Sequence, residues 1–118
     1  MRADYKSLEM DPSGFVLLAD YVPHIVQEIR YYSTYNFIGE RIDGYEEPCA
    51  LLTKEAARAL KSASNELAVQ GYRLKIFDAY RPVCAVKHFV LWGLEDQDIR
   101  MKPYFYPNLE KQELFNIT

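Results

Sequence analysis

The sequence is poor in the residues from which disulfide scaffolds and metal sites are built. Its 118 residues include two cysteines and two histidines. Cys49 and Cys84 do not form a C-x-x-C motif, and an isolated pair of this kind in a cytosolic domain is typical of buried, reduced thiols. A catalytic zinc ion takes about three protein ligands, usually His, Asp, Glu or Cys. The composition therefore favours reduced thiols and supplies few candidate metal ligands.

Long hydrophobic runs and clusters of basic residues are also missing. Residues 1–11 are polar, and the first apolar run, residues 15–19, is too short for a signal peptide or a membrane span, so we expect a cytoplasmic protein. The net charge is -3. Without clustered Lys and Arg, the chain is not expected to bind nucleic acid. Because 49% of the residues are hydrophobic, the chain can form one domain with its own core.

Alternating apolar and polar residues predict two strands, residues 25–32 and residues 72–77. Between them, residues 33–48 keep no period and contain two glycines. We expect this segment to be a long functional loop or an irregular hairpin. The polar residues 1–14 are expected to form a mobile or capping arm, which leaves residues 15–118 as the folded domain.

Three segments predict helices. The clearest begins at Thr53, a good N-cap, and ends at Gly71, and its expected buried face repeats at helical spacing through Ala56, Leu60, Ala63 and Leu67. The second covers residues 82–94 with Pro82 at its first position, and it is apolar on two sides, so both sides are expected to be buried. A short helix is predicted over residues 108–115. The predicted fold class is α+β, with a small, mainly antiparallel sheet and two packed helices.

The junction between the second strand and the second helix carries the main functional signal. It reads Asp78-Ala79-Tyr80-Arg81-Pro82. Arg81 is predicted at the helix entrance, where backbone N–H groups and the helix dipole favour an anion. We therefore expect a site there for a carboxylate, a phosphate or a developing oxyanion. Two alternatives stay open: Asp78 could pair with Arg81 or cap the helix, and Tyr80 could line the site or only pack.

The same five residues resemble the D-G/A-Y-R-P signature of the VanX-type D-alanyl-D-alanine dipeptidases. These are zinc peptidases of the wider D,D-peptidase and hedgehog-like group. Further matches fall in the family's order: Asn36-Phe37-Ile38-Gly39, Asp43-Gly44-Tyr45, Gln70-Gly71-Tyr72 and Tyr106-Pro107-Asn108. The resemblance runs from about residue 15 to the end of the chain. It implies the amino-terminal part of a hedgehog-like D,D-peptidase fold and a hydrolase of peptidoglycan precursors.

The resemblance also implies roles for single residues. Arg81 matches the arginine that stabilises the tetrahedral intermediate formed from D-Ala-D-Ala, and Asp78 and Tyr80 are candidate substrate-binding residues beside it. Asn36 and Asp43 match family positions, but Asn and Asp next to Gly are also what turns require, so we assign them no chemical role.

Two zinc-binding motifs of the family do not occur in this sequence. The resemblance implies that zinc is held by an S-x-H-x-x-G-x-A-x-D motif and by the histidine of an E-x-W-H motif, whose glutamate is the general base. Neither pattern is found in these 118 residues. Cys84 and His88 have helical spacing, but we favour a hydrogen-bonded core histidine beside a buried thiol over a metal site. We expect zinc in the complete family enzyme and none held by this chain alone.

Three functional hypotheses follow. In the first, the chain is a fragment of a zinc-dependent D-Ala-D-Ala dipeptidase that carries Arg81 and is inactive alone, because metal-bound hydroxide is the reagent in such hydrolysis. In the second, it is a non-catalytic module that binds a small carboxylate at Arg81. In the third, it has a purely structural role. The first hypothesis also predicts uncovered apolar surface, and therefore self-association or a complementing chain.

Overall fold

The computed structural model describes residues 14–115. Most of the predicted arm, residues 1–14, lies outside the described residues. The helices and strands are β1 (Phe15–Leu17), α1 (Leu18–Tyr21), β2 (Val26–Gln27), β3 (Leu51–Thr53), α2 (Lys54–Val69), β4 (Lys75–Ile76), α3 (Val83–Gly93), α4 (Lys102–Phe105) and a 3₁₀ helix (Lys111–Phe115). This order confirms the α+β class.

Two compact units divide the described chain. The first contains the described residues up to Ile29 together with Glu47–Tyr80. The second contains Arg30–Glu46 and the described residues from Arg81 onward. Each unit is therefore built from two stretches of sequence.

The first unit holds two separate two-stranded sheets. Strands β1 and β3 are antiparallel, with Val16 opposite Leu52. Strands β2 and β4 are parallel, with Val26 beside Lys75. The prediction of one mainly antiparallel sheet was therefore wrong. The alternating patterns at 25–32 and 72–77 extend well beyond the residues that pair, because alternation reports a half-buried face and not the length of a hydrogen-bonded partner.

Helix α2 begins and ends where the sequence predicted. The Oγ1 atom of Thr53 accepts a hydrogen bond from the N–H of Ala56 at 3.2 Å. At the other end Gly71 has a φ of +86°, a left-handed conformation, and its N–H donates to the carbonyl of Ala68 at 3.0 Å. Such a glycine satisfies carbonyl groups that the last turn of a helix leaves unpaired.

The buried face of α2 differs by one position from the prediction. Ala57 and Ser64 are buried, Leu60 and Leu67 are half-buried, and Ala56 and Ala63 are exposed. Leu60 and Leu67 belong to both the predicted and the observed stripe. Alanines occur on either side of these leucines, so the sequence pattern alone could not fix the edge of the stripe.

The core of the first unit lies around β1 and α1. The N–H of Leu18 donates to the carbonyl of Ala50 at 3.0 Å, which joins α1 to the residue before β3. Its buried hydrophobic side chains are Val16, Leu17, Leu18, Val22, Ile29, Ala50 and Ala57.

The second unit contains α3, α4, the 3₁₀ helix and residues 30–46, which form no helix or strand. This agrees with the loop predicted over residues 33–48, whereas residues 30–32 were predicted as part of a strand and do not form one. Helix α3 confirms the helix predicted over 82–94, with Pro82 as its N-cap and not its first residue. Of the helix predicted over 108–115, only the 3₁₀ helix Lys111–Phe115 forms. Helix α4 was not predicted, and a proline at its first turn is compatible with helix initiation.

Only one of the two apolar sides of α3 is buried. Ala85, Phe89 and Trp92 are buried, whereas the side chains of the other apolar stripe are exposed: Val83, Val86, Val90 and Leu94. The expectation that both sides would be covered is therefore wrong for the described residues. Cys84 is also exposed and Cys49 half-buried, so the prediction of buried thiols was wrong.

The Thr53 cap provides a direct test of the first unit. Replacing Thr53 with Ala should lower the free energy of unfolding by about 1 kcal/mol, because the N–H of Ala56 loses its acceptor. Thr53→Ser should retain most of that stability. Ser62→Ala, at an exposed position inside α2, is the control and should leave stability unchanged or slightly raised. Thermal melting followed by circular dichroism measures all three, and equal melting temperatures for Thr53→Ala and the wild type would refute the capping role.

Candidate functional site

The boundary between the two units falls inside the motif Asp78-Ala79-Tyr80-Arg81-Pro82. Asp78 and Tyr80 belong to the first unit, and Arg81 belongs to the second. Asp78 is half-buried. The ring of Tyr80 packs edge-on against Phe15, with centroids 5.0 Å apart, and its N–H donates to the carbonyl of Leu51 at 2.8 Å. Tyr80 thus has a packing role, and its role toward a substrate, like that of Asp78, stays a prediction.

Arg81 precedes the N-cap of α3 by one residue. Pro82 makes no side-chain capping hydrogen bond, and the first turn of α3 contains no acidic residue. The interpretation of Asp78 as the cap was wrong, because the N-cap position falls on Pro82. A guanidinium next to the positive end of a helix dipole forms a region that favours an anion.

Two aromatic rings hold the Arg81 side chain. Its Cζ atom lies 5.2 Å from the ring centroid of Phe89, which is on α3, and 5.4 Å from that of Tyr31. Both distances are within the range of cation–π attraction. The two rings are tilted by 58° to each other, and both lie within cation–π distance of the guanidinium, so they restrict where the Arg81 side chain can lie.

The ring of Tyr31 connects the family motifs of residues 33–48 to Arg81. It contacts Phe37, Tyr45 and Phe89 with centroid separations of 6.0, 5.6 and 5.1 Å. Phe37 and Tyr45 come from two of the segments that resemble the dipeptidases. Neither Tyr31 nor Phe89 was predicted as a site residue, because their contacts with Arg81 depend on the tertiary structure and not on a sequence motif.

Asn36 organises the loop that carries these aromatic residues. It is buried, and its Oδ1 accepts hydrogen bonds from the N–H groups of Ile38 and Gly39 at 2.9 and 3.0 Å. Its Nδ2, which has two hydrogens, lies within hydrogen-bond distance of three backbone carbonyls, those of Arg30 (3.1 Å), Ser33 (2.9 Å) and Glu40 (2.8 Å), so that one hydrogen is shared between two acceptors. Such a set requires a group that both donates and accepts, which an amide provides. The turn function expected for Asn36 is what the structure shows.

Gly44 brings the same loop close to the start of α3. It has a φ of +93°. A Cβ atom at this position would lie 2.6 Å from the Sγ of Cys84 and 2.9 Å from the Cβ of Pro82. Only glycine combines this conformation with so close an approach. The motif glycine therefore positions the loop against the first turn of the helix that follows Arg81.

His88 is engaged by the same loop through both ring nitrogens. The N–H of Asp43 donates to Nδ1 at 3.0 Å, and Nε2 lies 2.9 Å from the Oε1 of Glu40. Because Nδ1 accepts a hydrogen bond, the ring proton belongs on Nε2, which donates to Glu40. His88 thus ties α3 to the loop. His88 is hydrogen-bonded as predicted, but it is half-buried and not a core residue, and the thiol at Cys84 is exposed.

The described residues do not fit a zinc ion on their own. Within residues 14–115, no group of three His, Cys, Asp or Glu side chains is arranged to hold a metal. Both nitrogens of His88 are already occupied, and His24 is an exposed residue whose carbonyl accepts from Arg73 at 2.8 Å. What the site offers is therefore a positioned cation at a helix N-terminus.

Comparisons with known proteins identify the family of the chain. The profile of the D-ala-D-ala dipeptidase family matches residues 11–118, and the chain belongs to that family of peptidases. A D-alanyl-D-alanine dipeptidase of Enterococcus faecalis is 36% identical over 102 residues, and one of Enterococcus faecium is 34% identical over 103. A D-alanyl-D-alanine dipeptidase of Streptomyces coelicolor is 35% identical over 100 residues.

The chain spans about half the length of these curated relatives. The alignments cover 86, 87 and 81% of this chain and 50, 51 and 50% of the three relatives. Across the part of the chain that the structure describes, we find no helix with the length and apolar character needed to cross a bilayer.

The stability of an Asn36 variant tests whether the buried amide organises the loop beside Arg81. Replacing Asn36 with Asp should lower the free energy of unfolding by about 3 kcal/mol, because a carboxylate cannot donate to the three carbonyls that Nδ2 now serves. Asn65→Asp, at an exposed position of α2, should change stability by less than about 0.5 kcal/mol. Urea denaturation measures both values, and similar effects at the two positions would show that the buried amide does not organise the loop.

Proposed function

We propose that this chain forms the arginine-bearing part of a zinc-dependent D-Ala-D-Ala dipeptidase site and binds the carbonyl oxygen of the substrate through Arg81. The observation that carries the proposal is the pair of cation–π contacts of Arg81 with Tyr31 and Phe89 at the N-terminus of α3, within a segment that matches the family. The names of the relatives supply the substrate class, D-alanyl-D-alanine.

The chemistry of Arg81 suits a charge that develops during the reaction. A guanidinium is charged at every accessible pH and offers donors in a rigid plane. When a peptide carbonyl becomes tetrahedral, its oxygen gains negative charge that donors already in place stabilise without further reorganisation. The helix N-terminus beside Arg81 adds a favourable dipole. Loss of a single donor of this kind typically slows catalysis by about 100- to 1000-fold.

We assign this chain substrate binding and charge stabilisation, and no activation of water. The metal-binding motifs implied by the resemblance do not occur in its 118 residues. Consequently, the chain alone should release no D-alanine from D-Ala-D-Ala, with or without added zinc. Release at a rate above that of zinc in buffer, with one zinc bound per chain, would contradict this division of roles.

The role of Arg81 is testable by binding alone. Calorimetry with D-Ala-D-Ala should show about tenfold weaker binding for Arg81→Ala than for the wild type, because a charge-assisted hydrogen bond contributes roughly 1.5 kcal/mol or more. Arg81→Lys should recover only part of the affinity, since lysine keeps the charge but not the planar donors. Arg58→Ala, an exposed position on α2, serves as the matched control.

The outcomes of this experiment separate the two functional classes. Equal affinities for Arg81→Ala and the wild type would refute the Arg81 proposal. Arg81-dependent binding that extends equally to acetate and other small carboxylates would favour the alternative, a non-catalytic module for small carboxylates. Arg81-dependent binding selective for the dipeptide supports the dipeptidase.

We also propose that the chain associates with itself or with a complementing chain through α3. Its exposed stripe, Val83, Val86, Val90 and Leu94, has the spacing of one helix face, and Val83 is 83% exposed. A contiguous apolar face of this kind usually marks an interaction surface.

Glutamate substitutions test this surface. Light scattering at increasing concentration should show wild-type association that Val86→Glu and Val90→Glu reduce, since a charge on an apolar interface remains unpaired. Val69→Glu introduces the same change at an exposed position at the end of α2 and should leave association unchanged. A wild-type chain that stays monomeric at high concentration would contradict the self-association.

A further inference from the structure

The loop of residues 30–46 runs along one face of α3. Gly44 lies so close to the first turn of this helix that a Cβ atom on it would be 2.6 Å from the Sγ of Cys84. The residue before it, Asp43, donates its N–H to Nδ1 of His88 at 3.0 Å. Cys84 and His88 are four residues apart and therefore lie on the same face of the helix. Two consecutive loop residues thus contact two consecutive turns of α3.

The ring of His88 makes this contact only while it is uncharged. Its side chain is 14% exposed, and Nε2 lies 2.9 Å from Oε1 of Glu40. A neutral imidazole has one donor and one acceptor nitrogen, and here Nδ1 accepts from the Asp43 N–H while Nε2 donates to Glu40. A protonated ring has two donors and no acceptor. Protonation of Nδ1 would therefore leave two N–H groups facing each other.

A carboxylate lies close enough to pair with the added proton. Oδ1 of Asp43 is 3.4 Å from Nδ1 of His88, just beyond the usual length of an N–H···O hydrogen bond. Other charged groups nearby are Glu40 and, behind it, Arg100, whose guanidinium is 3.9 Å from Oε2 of Glu40 and donates to Asp98. A charged His88 would thus bind the side chain of Asp43 instead of its backbone N–H, which requires the Asp43 peptide to turn.

The segment that would turn is coupled to Arg81 in two ways. Gly44 abuts Pro82, the residue after Arg81, since a Cβ atom on Gly44 would lie 2.9 Å from the Cβ of Pro82. Tyr45 follows Gly44 and is buried, with its ring centroid 5.6 Å from that of Tyr31. The ring of Tyr31 lies 5.4 Å from Cζ of Arg81. A turn of the preceding peptide therefore acts on the backbone beside Arg81 and on one of the two rings that restrict its side chain.

We propose that His88 is a positioning residue for Arg81: the neutral ring holds the loop in the conformation that places Tyr31 beside the guanidinium, and protonation of the ring releases it. Histidine is the side chain whose charge ordinarily changes between about pH 5 and pH 8. The site should therefore bind its ligand more weakly at the acidic end of this range, although Arg81 stays charged throughout. The part that concerns D-Ala-D-Ala rests on the proposed function, whereas the contact between His88 and the loop does not.

The two histidines of the sequence allow an internal comparison. In a nitrogen-15-labelled chain, the ring signals of His88 should report a proton on Nε2 at about pH 7.5. As the pH falls to about 5.5, the amide signals of Asp43 and Gly44 should shift with the same midpoint as the His88 ring. His88→Asn should abolish these shifts, because an asparagine Oδ1 can accept in place of Nδ1 and takes up no proton. The exposed His24 should titrate without moving them.

Calorimetry extends the test to ligand binding. D-Ala-D-Ala should bind the wild type about fivefold more weakly at the lower pH, the change expected when one net hydrogen bond is lost. His88→Asn should bind like the wild type at the higher pH and lose less than about twofold at the lower one. His88→Ala, which keeps neither contact, should bind weakly at both. His24→Asn is the matched control and should retain the wild-type pH dependence.

Amide signals of Asp43 and Gly44 that do not follow the His88 ring would overturn the proposal, as would an equal loss of affinity at low pH in the wild type and in His88→Asn. Arg81-dependent binding that is insensitive to pH would leave the Arg81 proposal intact and refute the role of His88. If D-Ala-D-Ala shows no Arg81-dependent binding at either pH, the Arg81 proposal fails, and the amide titration alone decides whether His88 holds the loop.

Discussion

The cation–π contact of Arg81 with the rings of Tyr31 and Phe89 is the interaction on which the proposed site depends. An arginine on a loop has many rotamers, and fixing it costs conformational entropy before any ligand is bound. Here the two rings restrict the Arg81 side chain before a ligand binds, so binding loses less of this entropy. Tyr31 in turn packs against Phe37 and Tyr45, so the aromatic positions of two loop motifs support one cation.

The loop that carries Tyr31, residues 30–46, contains no helix or strand, and polar contacts hold it in place. The Asn36 amide satisfies five backbone groups, Gly44 allows a close approach to Cys84, and His88 is bonded to Asp43 and Glu40. These contacts are short-range and directional. They explain why an irregular segment can present a precise surface, and why its motif residues serve geometry more than chemistry.

The sequence predicted best what is decided locally. The N-cap at Thr53, the left-handed Gly71 and the helix after Pro82 each depend on neighbours within a few residues, and each was confirmed. The lengths of β2 and β4 were overestimated, since pairing depends on a partner that the strand's own pattern does not contain. The contacts of Tyr31 and Phe89 with Arg81 were missed for the same reason. The exposure of Val83 and Val90 does not follow from the helix pattern, because an apolar helix face does not reveal whether anything covers it; only the fragment hypothesis predicted uncovered apolar surface.

The interleaved order of the segments has a consequence for how fast the site can form. Residues 30–46 and the stretch from Arg81 belong to one unit, yet residues 47–80 separate them in the chain. Bringing such distant pieces together costs loop-closure entropy, which slows folding. The N–H of Tyr80 donates to the carbonyl of Leu51, on strand β3, and this bond shortens the stretch of chain that has to close between residues 46 and 81. Weakening this contact should therefore slow the meeting of Arg81 with Tyr31 and Phe89.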